Sequence, residues 1–187
     1  MPLRFSEETL AYAQRTIANP PSPQSPGLRT VIRAATRLVE DTRCEADLDG
    51  HIIICDEPPE RAGSGAGPAP VSHFLAGFGF CAEVQFARLA ALEQLSLDSL
   101  KILFRGYVDR RPEAQHDPLA RSIEEIRYET RVRSPEAPER IEALVRRAES
   151  LCYVLNTLKR GTKIFTRVYH NGILLFEARY DPTTGRS

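Results

Sequence analysis

The segment from Val71 to Leu95 constrains the fold of this chain more than any other feature. It reads VSHFLAGFGFCAEVQFARLAALEQL, and its apolar residues recur at helical spacing. The first half is apolar on nearly every side, so we expect the helix to be buried at the centre of the fold. A chain of 187 residues provides one domain with which to cover it. A partner subunit would complete that cover.

Short strands that alternate apolar and polar residues surround this segment. Tight turns are predicted at Glu40-Asp41 and Asp49-Gly50, and the Asn171-Gly172 pair predicts a type I′ hairpin turn. Hairpin groups separated by helices indicate an α+β fold. The predicted elements are a helix at 6–18, strands at 28–40, 43–48 and 51–58, a helix at 71–95, strands at 99–110 and 124–133 joined by a polar loop, a helix from about 134 to 160 ended by Gly161, and a hairpin at 163–180.

The N-terminal part is predicted to be separate from the rest. Ser6 is placed to cap the first helix, and the run NPPSPQSP after it favours an extended, polyproline-like conformation. The alternative is a disordered tail. We therefore divide the chain into a helix and proline-rich linker at 1–27 and a main domain at 28–187.

Composition excludes several classes of partner. Lysine plus arginine equals aspartate plus glutamate, so no net field attracts nucleic acid or an anionic membrane. The most apolar stretch, at 74–82, is about half as long as a membrane span.

The N-terminus does not resemble a secretory signal, so we predict a cytoplasmic protein. In the reducing cytoplasm, cysteines are usually free, catalytic or metal-bound. The spacing of cysteines and histidines does not match a zinc site, so no metal or other cofactor is predicted.

Two of the four cysteines, Cys81 and Cys152, fall in the apolar stripes of the second and third predicted helices. They suggest a redox pair in which Cys81 is oxidised to a sulfenic acid and Cys152 condenses with it. Simple packing of buried thiols is the competing interpretation, and we prefer it for Cys44 and Cys55. A reactive Cys81 lies too far into its helix to use the helix dipole and needs a cation from elsewhere. The candidates are Arg37, Arg43 and Arg61.

Two segments resemble the signature of the OsmC/Ohr family. GSGAGPAPVSHFLAGFGFCAEV has the family's glycine-rich loop, its G-x-x-P and its cysteine-bearing helix, and AESLCYVLNTLKRG resembles its second cysteine motif. The resemblance covers residues 28–187. It implies an OsmC-like fold with antiparallel strand groups wrapped around two long helices in an intertwined homodimer. It also implies reduction of organic hydroperoxides, with Cys81 as the attacking thiol, Cys152 as the resolving thiol, and a dithiol of the lipoyl type as reductant.

The chain departs from the family at three positions. Val71 stands where the peroxidases have a glutamate after the proline, the family's arginine has no clean match, and Tyr153 replaces a proline that often follows the second cysteine. Arg43 is the candidate for the arginine and Glu60 for the glutamate. Further substitutes for this pair are Arg61 with Glu60, or Ser72 with His73. The alternative function is a non-enzymatic dimer that binds a small hydrophobic ligand in an interface pocket.

Overall fold

The computed structural model describes residues 2–108 and 122–182, and within them the element order agrees with the predicted order except in the last helix. The predicted polar loop lies outside these ranges, as does the end of the strand predicted at 99–110. The elements are α1 (Glu7–Ala13, continued by a π-helical turn at Gln14–Ala18), β1 (Ala35–Glu40), β2 (Arg43–Leu48), β3 (His51–Cys55), a 3₁₀ turn (Pro59–Arg61), α2 (Pro70–Leu92), β4 (Ser99–Val108), β5 (Ile123–Arg133), α3 (Pro138–Leu151), α4 (Tyr153–Arg160), β6 (Ile164–His170) and β7 (Ile173–Tyr180).

The strands form three separate antiparallel units: the sheet β1-β2-β3, the pair β4-β5 and the hairpin β6-β7. The predicted turns are confirmed by their backbone angles, with positive φ at Asp41, at Asp49-Gly50 and at Asn171-Gly172. Positive φ at two adjacent residues is what a type I′ turn requires, and Asn-Gly and Asp-Gly supply it at low cost. The α+β class with antiparallel strands is thus confirmed.

β1 is shorter than predicted. It pairs with β2 from Ala35↔Asp47 onward, and β2 ends just beyond that point at the Asp49-Gly50 turn. Residues before Ala35 therefore have no partner in β2. The segment 28–34 leaves the sheet instead.

The main core lies between α2 and α3. Phe86, Leu89 and Leu144 are fully buried there, and Phe5 and Ile17 of the N-terminal segment pack against the same cluster. Ser6 caps α1 as predicted, since its hydroxyl accepts a hydrogen bond from the Thr9 amide. The Leu3 amide donates to the Leu97 carbonyl at 2.7 Å. The N-terminal helix is therefore packed on the rest of the fold and does not stand apart from it.

A single chain leaves part of α2 open, so the burial predicted for this helix is incomplete within one chain. Val71, Phe74 and Val84 are each about two-fifths exposed, and Phe80 is 66% exposed. The hairpin β6-β7 is exposed along its whole length apart from one residue. By length and composition alone α2 would also pass as a membrane-crossing helix, although core helices of soluble proteins pass the same test.

The helix predicted from about 134 to 160 is two helices. Pro138 occupies the first position of α3, where a missing amide hydrogen costs nothing. Cys152 then adopts an extended conformation (φ −75°, ψ 112°) and separates α3 from α4. Gly161 ends α4 at positive φ, as predicted.

Candidate thiol site

A buried carboxylate orders the glycine-rich loop that leads into α2. Asp56 is 1% exposed and accepts hydrogen bonds from the Thr42 hydroxyl (2.8 Å), the Ser64 hydroxyl and amide (2.7 and 2.9 Å) and the Ala66 amide (3.2 Å). These hydrogen bonds hold the pKa of Asp56 well below its usual range, and the bonds from the Ser64 and Thr42 hydroxyls have the largest effect. The loop is thereby fixed against the end of β3.

Two close contacts then set the start of α2 relative to β3. A β-carbon at Gly67 would lie 2.4 Å from the Ile54 carbonyl oxygen, so only glycine fits there. Nε2 of His73, in the first turns of α2, lies 3.2 Å from that same oxygen. These contacts hold the glycine-rich loop tightly against β3 where α2 begins.

Cys81 lies in the middle of α2 and faces an open cavity of about 950 Å³. Its thiol is half-buried. Val84, Gln85 and Arg88 follow it on the same helical face, at spacings of three, four and seven residues. The opposite wall comes from α1 and from the segment before β1. The lining residues are Tyr12, Leu28, Arg29, Thr30, Ile32, Phe80, Cys81, Val84, Gln85, Arg88 and Tyr153.

Cys152 lies behind Cys81, inside the protein. It is fully buried with Phe78, Ala82 and Leu155, and Cys81 packs against this cluster. Burial raises the pKa of the Cys152 thiol, the amide of Leu155 at the start of α4 lowers it in part, and hydrogen-bonding contact with Cys81 raises it further. The fold thus brings together the two cysteines that the sequence singled out.

A tyrosine and a glutamate flank the buried thiol. Tyr128 of β5 donates a hydrogen bond to Glu149 of α3 at 2.5 Å, and both line a small enclosed space with Cys152. Burial raises the pKa of Tyr128, and the bond to Glu149 adds to the increase. The Tyr128 hydroxyl is therefore a donor throughout the neutral range. Sequence reasoning missed this pair because it joins residues from different elements.

None of the cations and carboxylates proposed from the sequence lines the Cys81 cavity within the described part of this chain. Arg37 and Arg43 both pair with Glu45, at 2.6 and 3.3 Å. They lie on the β1-β2-β3 sheet, whose side chains do not line the cavity.

The other proposed substitutes also lie elsewhere. Arg61 pairs with Glu57 at 2.6 Å, and Glu60 is exposed on the 3₁₀ turn. His73 contacts β3 as described above, and Ser72 beside it is exposed. A role for any of these groups at Cys81 would require a second chain.

Two other arginines do line the cavity, and the sequence reasoning missed them. Arg88 could have been found from its spacing, because seven residues after Cys81 is the same face of α2. Its guanidinium lies over the ring of Tyr12, 4.4 Å from the centroid. Arg29 follows the proline-rich run and carried no local signal.

Comparison with known proteins gives one consistent picture. The family model described as OsmC-like protein matches residues 63–167, more than half of the chain. An OsmC-like protein from Mycoplasma pneumoniae superposes with a TM-score of 0.62 at 20% identity, over 71% of this chain and 89% of its own. A putative osmotic stress induced and detoxification response protein from Psychrobacter arcticus gives 0.56 at 14% identity, over 79% and 94%. The organic hydroperoxide resistance protein OsmC from Legionella pneumophila gives 0.50 at 20% identity, over 71% and 90%. No curated protein matches the sequence significantly. At these identities the solved structures support the fold alone.

Proposed function

Because this chain belongs to the OsmC-like protein family, we propose that it is a thiol-dependent peroxidase that reduces organic hydroperoxides through Cys81 and Cys152. The observation that carries the proposal is the contact between two thiols of unequal exposure. Cys81 reaches the cavity, whereas Cys152 is buried behind it. A peroxidatic thiol has to meet substrate, and a resolving thiol only has to meet its partner.

The proposed first step is attack of the Cys81 thiolate on the terminal oxygen of the hydroperoxide. The O–O bond breaks, the alcohol leaves after taking up a proton, and Cys81 becomes a sulfenic acid. The Cys152 thiolate then attacks the Cys81 sulfur, and the hydroxide that leaves is protonated to water. An external dithiol of the lipoyl type would reduce the resulting disulfide and become oxidised itself. The cycle uses sulfur chemistry alone, and a reducing compartment such as the cytoplasm suits it.

We further propose that the active form is a homodimer. The open face of α2, with Phe74, Phe80 and Val84, and the hairpin β6-β7 both leave large apolar side chains exposed to water, and exposed apolar surface of this kind marks an interaction site when it is contiguous. A second chain seated there would also be the source of the missing cation. Arg43, with Glu60 as its carboxylate partner, would then approach Cys81 from the other subunit.

The test is the mass of pre-reduced protein after mixing with cumene hydroperoxide. We expect rapid loss of two hydrogens per chain in the wild type. Cys152→Ser should stop at the sulfenic acid, one oxygen heavier and trapped by dimedone, and Cys81→Ser should not react. Cys44→Ser is the matched control, since it removes a thiol outside this site, and it should behave as wild type. Undiminished peroxide consumption by Cys81→Ser would refute the assignment.

The alternative is a binding protein without turnover, and two observations favour it. Val71 leaves no carboxylate after Pro70, and the cavity of about 950 Å³ is the size of a small-molecule site. In that case cumene hydroperoxide would oxidise Cys81 no faster than it oxidises a free thiol. A ligand would still raise the melting temperature equally in the reduced protein and in Cys81→Ser.

A further inference from the structure

The two cysteines outside the thiol site lie directly opposite each other on neighbouring strands. Cys44 of β2 is paired with Cys55 of β3 in the antiparallel register. Opposed residues of such a pair point to the same face of the sheet, and their Cα atoms are about 4.5–5.5 Å apart. A disulfide needs a Cα separation of about 4.4–6.8 Å. The register of β2 and β3 therefore holds these two residues at a distance that a disulfide can span.

The two thiols are close enough to interact, and small molecules can reach them. Burial raises the pKa of the Cys55 thiol, and the neighbouring Cys44 thiol adds to the increase. Such an electrostatic effect requires a short distance between the sulfur atoms. Both residues are only half-buried. Leu38, which lies opposite Cys44 on β1 and on the same face, is 69% exposed, so this face of the sheet is open there.

The pair lies at the end of the sheet that anchors the glycine-rich loop. Cys55 is followed directly by Asp56, whose carboxylate accepts a hydrogen bond from the Thr42 hydroxyl at 2.8 Å. That bond ties the end of β3 to the residue before β2. The Cys44 thiol donates to the Thr42 carbonyl, with sulfur and oxygen 3.7 Å apart. A covalent bond between the two cysteines would therefore reinforce the strand ends from which the loop to α2 departs.

We propose that Cys44 and Cys55 form a second redox site, a dithiol that a low-molecular-weight disulfide such as glutathione disulfide converts into a disulfide across β2 and β3. One cysteine attacks as the thiolate, a mixed disulfide forms, and one glutathione leaves as a thiolate and takes up a proton. The other cysteine, as its thiolate, then attacks the sulfur of the first, and the second glutathione leaves in the same way. The protein loses two hydrogens, and one glutathione disulfide becomes two thiols. The site uses neither Cys81 nor Cys152, so the inference does not rest on the proposed peroxidase function.

The test is equilibration of the full-length protein in glutathione buffers of increasing disulfide content, followed by trapping of free thiols with N-ethylmaleimide and digestion with trypsin. One tryptic peptide, 44–61, carries both cysteines of this site and neither of the other two. We expect this peptide to lose two hydrogens and to take up no maleimide. In Cys44→Ser and Cys55→Ser the remaining cysteine should stay a thiol or carry one glutathione. Cys81→Ser is the matched control, since it removes another half-buried thiol, and it should leave closure of the 44–61 peptide unchanged.

Comparison with the unfolded chain measures how strongly the fold favours the bond. At a fixed glutathione ratio, the ratio of disulfide to dithiol in the 44–61 peptide should be at least about tenfold higher in the folded protein than in urea, because the strands hold the two cysteines together. Linkage requires the disulfide to stabilise the fold by the same factor, or about 1.4 kcal/mol. Oxidised Cys81→Ser should accordingly have a higher urea midpoint than the reduced form, and adding Cys55→Ser should abolish the difference.

Three results would overturn the proposal: a mixed disulfide that persists on one cysteine, a 44–61 peptide that stays reduced at the highest disulfide content, and a disulfide-to-dithiol ratio no higher than in the unfolded chain. Cumene hydroperoxide separates this site from the proposed peroxidase, since its fast reaction should leave the 44–61 peptide reduced. None of the glutathione readouts depends on peroxide, so failure of the peroxidase proposal would not imitate them.

Discussion

The hydrogen bond between Tyr128 and Glu149 gives the sharpest test of how the buried thiol is held in place. Tyr128→Phe removes only the hydroxyl, since the ring keeps its contacts with Phe78 and Phe104 at centroid distances of 5.6 and 5.5 Å. The half-buried Glu149 then loses its donor. A hydrogen bond to a charged group contributes about 1.5–3 kcal/mol, so we expect a loss of about 2 kcal/mol in the free energy of unfolding. For a chain of this length that corresponds to about 4–8 °C in melting temperature.

The assay is thermal unfolding of four proteins: wild type, Tyr128→Phe, Glu149→Gln and the double variant. Glutamine retains an acceptor for the tyrosine hydroxyl, so Glu149→Gln should cost less than Tyr128→Phe. The double variant should cost less than the two single changes added together, because both act on one bond. Tyr107→Phe is the control, since that tyrosine is 42% exposed, and its loss should stay within about 0.5 kcal/mol. Strict additivity, or equal losses for Tyr107→Phe and Tyr128→Phe, would refute the reasoning.

Three further predictions concern the neighbouring elements. Because the pKa of Asp56 is lower in the folded chain, its contribution to stability is complete above the unfolded value of about 3.9 and is lost as the pH falls through the folded value. The difference in urea midpoint between wild type and Asp56→Asn should therefore shrink progressively as the pH falls below about 4, and a constant difference down to pH 2 would contradict this. Gly67→Ala should destabilise by about 2–4 kcal/mol, because its β-carbon meets the Ile54 carbonyl, whereas Gly77→Ala has open space and should not destabilise. Since the pKa of Cys152 is raised, closure of the disulfide after peroxide addition should keep accelerating above about pH 8.5 in stopped-flow measurements. A plateau below neutral pH would exclude that resolving role.

The elements that could be predicted are those that local chemistry determines. Asn171-Gly172 and Asp49-Gly50 are turns because they tolerate positive φ, and this also fixed the register of their hairpins. The long run of α2 was recognisable from apolar spacing alone. Its one-sided exposure was not, because periodicity reports which residues avoid water and not which chain covers them.

The identity of the two cysteines in the thiol pair could be predicted, but the residues that surround them could not. Cys81 and Cys152 were visible as cysteines in apolar stripes, and the fold brings them together. No glycine or proline stands at or next to Cys152, so no residue type indicated the break between α3 and α4. The pairing of Tyr12 with Arg88 joins positions far apart in the chain, so no local pattern contains it. The candidates Arg43 and Glu60 remain predictions that need a second chain.

The interruption at Cys152 changes what the departure at Tyr153 means. Tyr153 is the first residue of α4, the one helical position where proline fits without loss of a hydrogen bond. Tyrosine and proline are therefore interchangeable there as far as the backbone is concerned, and the interruption does not need the ring of a proline to exist. What differs is the side chain: a tyrosine 77% exposed at the rim of the Cys81 cavity. Tyr153 therefore changes the surface at the rim of the cavity and leaves the course of the backbone to the interruption at Cys152.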